Sequence, residues 1–232
     1  MFERIKRKKG MMPKHVAITA DGMLEWSQKN DTPAEDAFRR SLLIIKSTIK
    51  SQIKNNIPIT TCSMLHKGHE KDDKFAEMVD GLSNLFRSLS KDRILHGNQV
   101  KLSFLGKWYD LPARLVDAVK EAIEETKEYD RFFLNFCLNY HGQEEIVDAC
   151  RLIARQVSAE KIDPGSLSAS TIKENLYSSY FLPPDLIIKN GKEIIPDILL
   201  WDHAGACIHF TGKLFPEFGK EDLDNALKYF KR

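Results

Sequence analysis

The sequence predicts an α/β fold with a six-stranded, mainly parallel sheet flanked by helices. Short, nearly continuous apolar runs recur along the chain, which is typical of strands buried on both faces of a parallel sheet. Between these runs, apolar residues recur at three- and four-residue spacing, as on amphipathic helices. Alternation of strands with helices favours parallel pairing. The predicted strands cover residues 16–19, 59–65, 100–105, 132–139, 186–189 and 207–211.

The first predicted strand leads into Asp21 and Gly22, and a helical pattern follows. A strand that ends in Asp-Gly at the carboxyl edge of an α/β sheet lies where such folds bind ligands. The alternative is that Asp21 caps the helix that follows it. This junction is the first candidate site.

Three later helices are indicated by apolar spacing. One covers residues 75–89, the next begins near Pro112, where proline fits a first turn, and the third covers residues 146–157. Residues 66–74 are polar and predict a loop, and residues 158–170 predict a loop with a Pro-Gly turn before a short helix.

Composition bounds the class of protein. The 232 residues carry a net charge of +2, which is too small to argue for nucleic-acid binding. Five positive charges fall within the first ten residues. We therefore expect a basic, flexible N-terminus over residues 1–12 and a single domain over residues 13–232. An anionic membrane surface would attract this segment by about 1 kcal/mol per basic residue.

The cysteine pattern and the lack of long apolar runs predict a cytoplasmic location, with peripheral membrane contact as an option. The chain shows no CxxC motif, no signal peptide and no apolar run of about 18 residues. Widely separated cysteines within apolar runs favour free thiols in a reducing compartment. They are Cys62, Cys137, Cys150 and Cys207.

Four segments in order resemble the cis-prenyltransferases, the undecaprenyl diphosphate synthase family. They read PKHVAITADGMLEW, LNFCLNYHGQEEIVDA, DLIIKNGKEIIPDILLW and HFTGKLFPEFGKEDLDNAL. The resemblance implies a dimer that condenses isopentenyl diphosphate with an allylic diphosphate using Mg²⁺. It also implies a hydrophobic tunnel, with the 75–89 helix in its wall, although core packing predicts the same apolar stripe.

The resemblance makes Asp21 the catalytic and metal-binding candidate. The substrate-binding candidates are Gly22, Trp26, Lys29, Lys189 and Gly191. Trp26 is also explained as a core residue.

Several positions depart from the family pattern. Glu25, Ala34 and Phe38 stand where the family has two arginines and a histidine, Ile194 and Pro196 replace an arginine and a serine, and Cys207 replaces a metal-binding glutamate. Losing about three charge-assisted contacts would cost on the order of 5–9 kcal/mol if they were additive. The sequence therefore predicts a degraded site.

The scaffold follows the family more closely, which implies a retained dimer interface. The interface candidates are Asn139, Tyr140, Gly142, Glu145, Ile146, Phe210 and Thr211.

A retained fold with a degraded site predicts the non-catalytic subunit of a heteromeric cis-prenyltransferase, inactive alone. Its partners would be a catalytic subunit, or itself as a dimer, and prenyl diphosphates, with Mg²⁺ in the assembled complex. Two alternatives remain open. One is a divergent active enzyme that uses Asp21, Lys189 and Lys29, and the other is a module that binds a prenyl diphosphate.

Overall fold

A computed structural model describes residues 11–231 and contains a six-stranded sheet in which every strand pairing is parallel. The strand order is β3-β4-β2-β1-β5-β6. The strands are β1 (His15–Thr19), β2 (Ile59–His66), β3 (Val100–Leu105), β4 (Phe132–Tyr140), β5 (Leu186–Lys189) and β6 (Cys207–Phe210). The predicted fold class is confirmed, and each strand lies within one residue of its predicted bounds.

Helices connect these strands and flank the sheet. They are α1 (Met23–Lys29), α2 (Ala34–Lys54), α3 (Phe75–Ser90), α4 (Arg93–Asn98), α5 (Ala113–Thr126), α6 (Gly142–Ser158), α7 (Ala169–Glu174) and α8 (Lys220–Phe230). None of the helices in residues 11–231 is long and apolar enough to cross a membrane. Most of the predicted basic segment over residues 1–12 lies outside the described residues.

The helix α2 is the longest element that the sequence pattern did not single out. Polar residues lie on its buried face, and they weaken the apolar periodicity. Ser41 Oγ donates to the Ala37 carbonyl at 2.8 Å, and Gln52 Nε2 donates to the Phe133 carbonyl at 3.0 Å. These two donor groups have partners, so the face packs although it is not uniformly apolar.

The two faces of the sheet carry cores of very different size. Alternate residues of β1 point to opposite faces, so that Val16 and Ile18 join the larger core and Ala17 joins the smaller one. The larger core includes the buried faces of α2, α3 and α5. The smaller core lies on the face that α6 covers only partly, since α6 buries just Gly142, Glu145, Ala149 and Ile153.

The apolar face of α3 lies inside the larger core. Leu82, Phe86 and Leu89 are fully buried, and the Phe38 ring of α2 packs directly on Gly81. Core packing therefore accounts for the apolar stripe from which the sequence predicted a tunnel wall.

Candidate active site

The candidate site lies where the strand order reverses. The chain passes from β1 to β2 on one side of the sheet, whereas β5 and β6 continue on the other side of β1. Ligands bind at such a switch point, beyond the carboxyl ends of the two strands. Asp21 follows β1 and Lys189 ends β5, so both side chains meet there.

Asp21 is the centre of the polar contacts at this point. Lys189 Nζ donates to Asp21 Oδ2 at 2.6 Å and to the Asn190 carbonyl at 2.6 Å. His66 Nε2 lies 3.3 Å from Asp21 Oδ1. The side chain of Lys189 is only 5% exposed, against 27% for Asp21.

These contacts keep Asp21 ionised. Burial alone would raise the pKa of this carboxyl, but the hydrogen bonds from His66 and Lys189, together with the charge of Lys189, lower the pKa to about 2. The buried Lys189 ammonium is thus neutralised within the chain.

Asn190 fixes the end of β5 against its neighbours, and sequence reasoning missed it. Its Nδ2 donates to the Thr19 carbonyl at 2.7 Å, its backbone N–H donates to Thr19 Oγ1 at 3.0 Å, and Thr211 Oγ1 donates to its Oδ1 at 3.0 Å. Asn190 is fully buried. The signal for Asn190 in the sequence is its position as a polar residue directly after an apolar strand, where α/β folds place site residues.

Gly22 shapes the floor of the site. It has a φ of 84°, in the left-handed region, and Leu214 packs so closely on it that a side chain at Gly22 would overlap with Leu214. Glycine is needed here both for its backbone conformation and for its size.

A pocket of about 300 Å³ opens beside Asp21. Its ionisable lining consists of three carboxylates, two lysines and a histidine, and its remaining side chains are mainly apolar. The lining residues are Thr19, Asp21, Gly22, Glu25, His66, Lys189, Gly191, Lys192, Ile194, Ile195, Pro196, Asp197 and Leu214. The pocket is therefore short of free cationic donors.

The structure separates the predicted substrate-binding residues into two groups. Gly22, Lys189 and Gly191 line the pocket with Asp21. Trp26 is buried outside the lining, under the Arg40 guanidinium. Lys29 is 69% exposed and lies 4.0 Å from Glu217, also outside the lining.

The residues that depart from the family pattern lie in three different places in the structure. Glu25, Ile194 and Pro196 line the pocket. Ala34 and Phe38 are buried in the larger core. Cys207 begins β6 and pairs with Leu186, about 10 Å along the strand from the end where Lys189 lies. Within this chain, its thiol does not contribute to the pocket.

The donor groups of the pocket do not fit a magnesium ion. The described residues contain no group of three or more acidic, histidine or cysteine side chains that could hold a metal. Asp21 already binds Lys189 and His66. Mg²⁺ prefers carboxylates and water in a near-ideal octahedron, and one oxygen of the Asp21 carboxylate is already bound by the Lys189 ammonium.

A second polar cluster, here called the scaffold network, comprises Tyr140, Glu145, Lys173, Ser178 and Asp202. The Tyr140 hydroxyl donates to Glu145 Oε2 at 2.5 Å and accepts a hydrogen bond from the Leu199 N–H at 2.9 Å. The Ser178 N–H donates to Glu145 Oε1 at 3.2 Å, and Lys173 Nζ lies 2.5 Å from Asp202 Oδ2. Burial raises the pKa of Glu145.

The predicted interface residues lie at different depths. Tyr140, Gly142 and Glu145 are buried in the chain itself. Asn139 donates to the Lys107 carbonyl at 3.1 Å, and Thr211 contacts Asn190. Ile146 is half-buried and Phe210 is 38% exposed. The latter two are therefore the predicted residues best placed to meet a partner directly.

The fold and the site together describe a parallel α/β protein with a charged pocket at its switch point. A family model described as putative undecaprenyl diphosphate synthase matches residues 19–232. The chain belongs to this family, the cis-prenyltransferases. Members of the family are generally Mg²⁺-dependent.

Several curated relatives match along nearly their whole length. A tritrans,polycis-undecaprenyl-diphosphate synthase (geranylgeranyl-diphosphate specific) of Pyrococcus horikoshii is 32% identical, covering 100% of this chain and 90% of the relative. An isoprenyl transferase of Thermotoga maritima is 31% identical, covering 95% of this chain and 94% of the relative.

Solved structures share this fold. The structure of lavandulyl diphosphate synthase from Lavandula x intermedia, in complex with dimethylallyl diphosphate, matches with a TM-score of 0.88 and 26% identity over 95% of both chains. A probable undecaprenyl diphosphate synthase from Campylobacter jejuni matches in fold, with a TM-score of 0.76 and 20% identity over 96% of both chains.

Proposed function

We propose that this chain is the non-catalytic subunit of a heteromeric cis-prenyltransferase that makes a polyprenyl diphosphate. The catalytic partner would bind the prenyl diphosphates and Mg²⁺, and this chain would stabilise that partner. A cytoplasmic location, with the basic N-terminal residues against an anionic membrane surface, remains a prediction from the sequence.

The observation that carries the proposal is the closed ion pair between Lys189 and Asp21. A site that binds two diphosphates needs several cationic groups that are free to bind phosphate oxygens. Here the buried lysine is bound to Asp21 and to a backbone carbonyl, and Glu25 adds a negative charge to the same pocket.

Entry of a diphosphate would carry an electrostatic cost. Lys189 would have to leave Asp21, and removing one partner of a buried ion pair costs about 3–5 kcal/mol. Since 1.4 kcal/mol corresponds to a factor of ten in affinity, this cost lowers diphosphate affinity by about two to four orders of magnitude.

An exposed apolar surface on helix α6 supports association with a partner. The helix α6 turns Ile146, Val147, Cys150 and Ala154 to one flank, where Val147 is 44% exposed. With a period of 3.6 residues, these four positions form one apolar stripe beside the buried face of α6. We assign this stripe, the α6 stripe, to the subunit interface together with Phe210.

The test is a comparison of turnover by separate and combined subunits. The chain and a motif-complete homologue from the same genome are purified alone and after co-expression, and incorporation of radiolabelled isopentenyl diphosphate onto an allylic diphosphate is measured with Mg²⁺. We expect no turnover by this chain alone, and co-purification with higher turnover for the pair than for the homologue alone.

Robust turnover by the lone chain, abolished in Asp21→Asn, would reject the proposal. That result would support the alternative of a divergent active enzyme. The observation in favour of this alternative is the match of 29–32% identity along the whole chain to relatives that are named as synthases.

A further inference from the structure

We infer that the outer face of helix α2 binds an anionic lipid bilayer. This surface, here called the α2 face, comprises Leu43, Lys46, Lys50 and Lys54. It belongs to the folded domain, so the inference goes beyond the proposed function and beyond the membrane contact predicted for the basic N-terminal residues. Three features support it: the direction of the side chains, the charges around them and an apolar groove beside Leu43.

The α2 face points away from the core. Its four residues follow one another at intervals of three and four, which places them on one side of the helix, whereas buried residues such as Ile45 and Ile49 lie on the other side. Leu43 is 63% exposed, and Lys50 and Lys54 are exposed. At a rise of about 1.5 Å per residue, the α2 face extends for about 16 Å.

The acidic residues of α2 are confined to its first turn. Glu35 and Asp36 both pair there with Arg39, at 3.1 Å and 3.3 Å. No acidic residue follows in the chain as far as Lys54. The other long helices, α3, α5 and α6, all carry carboxylates beyond their first turn. Most of α2 is therefore positively charged, which distinguishes it from these helices.

The carboxylate beside the α2 face neutralises only one of its lysines. Asp92 accepts from Lys46 Nζ at 2.7 Å and from the Ile94 N–H at 2.9 Å. The charge of Lys50 also acts on Asp92, but neither Lys50 nor Lys54 forms a salt bridge within residues 11–231. Two lysines of the face are thus free to meet anionic groups.

Helix α8 lies across a groove from α2 and is close to neutral. Its Asp222 pairs with Lys213 at 2.7 Å. Its other charged residues are two carboxylates and two lysines, namely Glu221, Asp224, Lys220 and Lys228. The positive charge on this side of the molecule therefore comes from α2.

The groove between α2 and α8 has a volume of about 160 Å³ and opens beside Leu43. Leu43, Ile44, Phe218 and Leu223 line it, and the only charged residue of its lining is Lys220. A bilayer presents acyl chains beneath its anionic headgroups, whereas a nucleic-acid backbone presents the charge alone. Lysines beside an exposed leucine and an apolar groove therefore favour a bilayer.

The experiment measures sedimentation of the full chain with phosphatidylcholine vesicles that contain or lack phosphatidylglycerol. We expect binding only to the vesicles with phosphatidylglycerol, and loss of that binding in high salt, because salt screens exposed charges. The double variant Lys50→Gln, Lys54→Gln should weaken binding by about thirtyfold, because each basic residue near a bilayer contributes about 1 kcal/mol.

Two further variants localise the effect. Arg155→Gln with Lys161→Gln removes two charges at exposed positions in and just after α6, on the opposite face of the sheet, and should change binding by less than about twofold. Leu43→Ser keeps every charge and should weaken binding by about fivefold, because it removes apolar contact with the bilayer.

Equal binding by the two double variants would overturn the inference. Binding of a short polyuridylate as tightly as the anionic vesicles, at the same salt concentration, would also overturn it and assign the α2 face to nucleic acid. A third contrary result is loss of vesicle binding in Lys8→Gln with Lys9→Gln while the α2 variant binds like the wild type. None of these measurements involves turnover, so their outcome is independent of the proposed function.

Discussion

Among residues 11–231, two lysine–aspartate pairs each contain one almost fully buried partner, and the surroundings of the two pairs differ. Lys173 and Asp202 lie in the scaffold network, where Asp202 is only 4% exposed and also accepts from Ser178 Oγ. Lys189 and Asp21 lie beside an open pocket, where Asp21 is 27% exposed. The first pair is enclosed by the fold, and the second occupies a place where a ligand would bind.

The two pairs also differ in how the surrounding polar groups are satisfied. The scaffold network uses Tyr140 and Glu145, which follow the family pattern, and it satisfies its polar groups internally. In the pocket, Lys189 is paired with Asp21, whereas Lys192 is exposed. The scaffold pair therefore has a structural setting, and the pocket pair lies where a ligand would meet it.

The largest expected effect concerns the α6 stripe. We expect Ile146→Asp to abolish association of the subunits, because an obligate interface of roughly 2,000 Å² or more is strongly apolar and a buried unpaired charge is costly. Co-purification and size-exclusion chromatography with light scattering measure this. Leu152→Asp, at a 45% exposed position on the opposite flank of α6, is the matched control, and equal behaviour of the two variants would contradict the assignment.

The second largest effect is expected on the free energy of unfolding, from a change in the scaffold network. Lys173→Met leaves the Asp202 carboxylate buried without its cation, which should lower the free energy of unfolding by about 3–5 kcal/mol. Urea denaturation measures the loss. Lys161→Met, at an exposed position, should change stability by less than about 0.5 kcal/mol. A loss below about 1 kcal/mol for Lys173→Met would show that the network is not a structural element.

The ion pair between Asp21 and Lys189 should make the free energy of unfolding depend on pH in the acid range. The folded pKa of Asp21, about 2, lies below the ordinary value of 3.8, so its stabilising contribution is present above the ordinary pKa and is lost as the pH falls through the folded pKa. By pH 2 this loss amounts to about 2 kcal/mol. Urea denaturation from pH 5 to pH 2 should show a correspondingly shallower decline for Asp21→Asn than for the wild type, and parallel declines would contradict the ion pair.

The smallest expected effect is on turnover of the assembled complex. Asp21→Asn keeps an oxygen that accepts from Lys189 and leaves the α6 stripe untouched, so we expect turnover within about twofold of wild type, or less than about 0.5 kcal/mol in the activation barrier. Steady-state incorporation of isopentenyl diphosphate measures it. If the intact complex loses its activity, this chain takes part in the chemistry.

Local pattern was sufficient for most of the architecture. The apolar run before Asp21 predicted β1, and the spacing in residues 75–89 predicted α3, because a strand or helix that buries one face imposes its period on neighbouring residues. In α2, buried polar residues such as Ser41 and Gln52 interrupt the apolar period, so the same argument failed there. The placement of Asp21 at a carboxyl edge likewise followed from the order of elements.

The sequence by itself determined the strands, the helices around the sheet and the candidate role of Asp21. Only the tertiary structure decided that Lys189 pairs with Asp21, 168 residues away in the chain. It also decided that Lys29 lies outside the pocket and that Cys207 lies at the start of β6, at the end of the strand away from the pocket. The physical reason is that periodicity is a short-range property of the chain. Which charges meet depends on strand order and register, and these are settled when the whole sheet assembles.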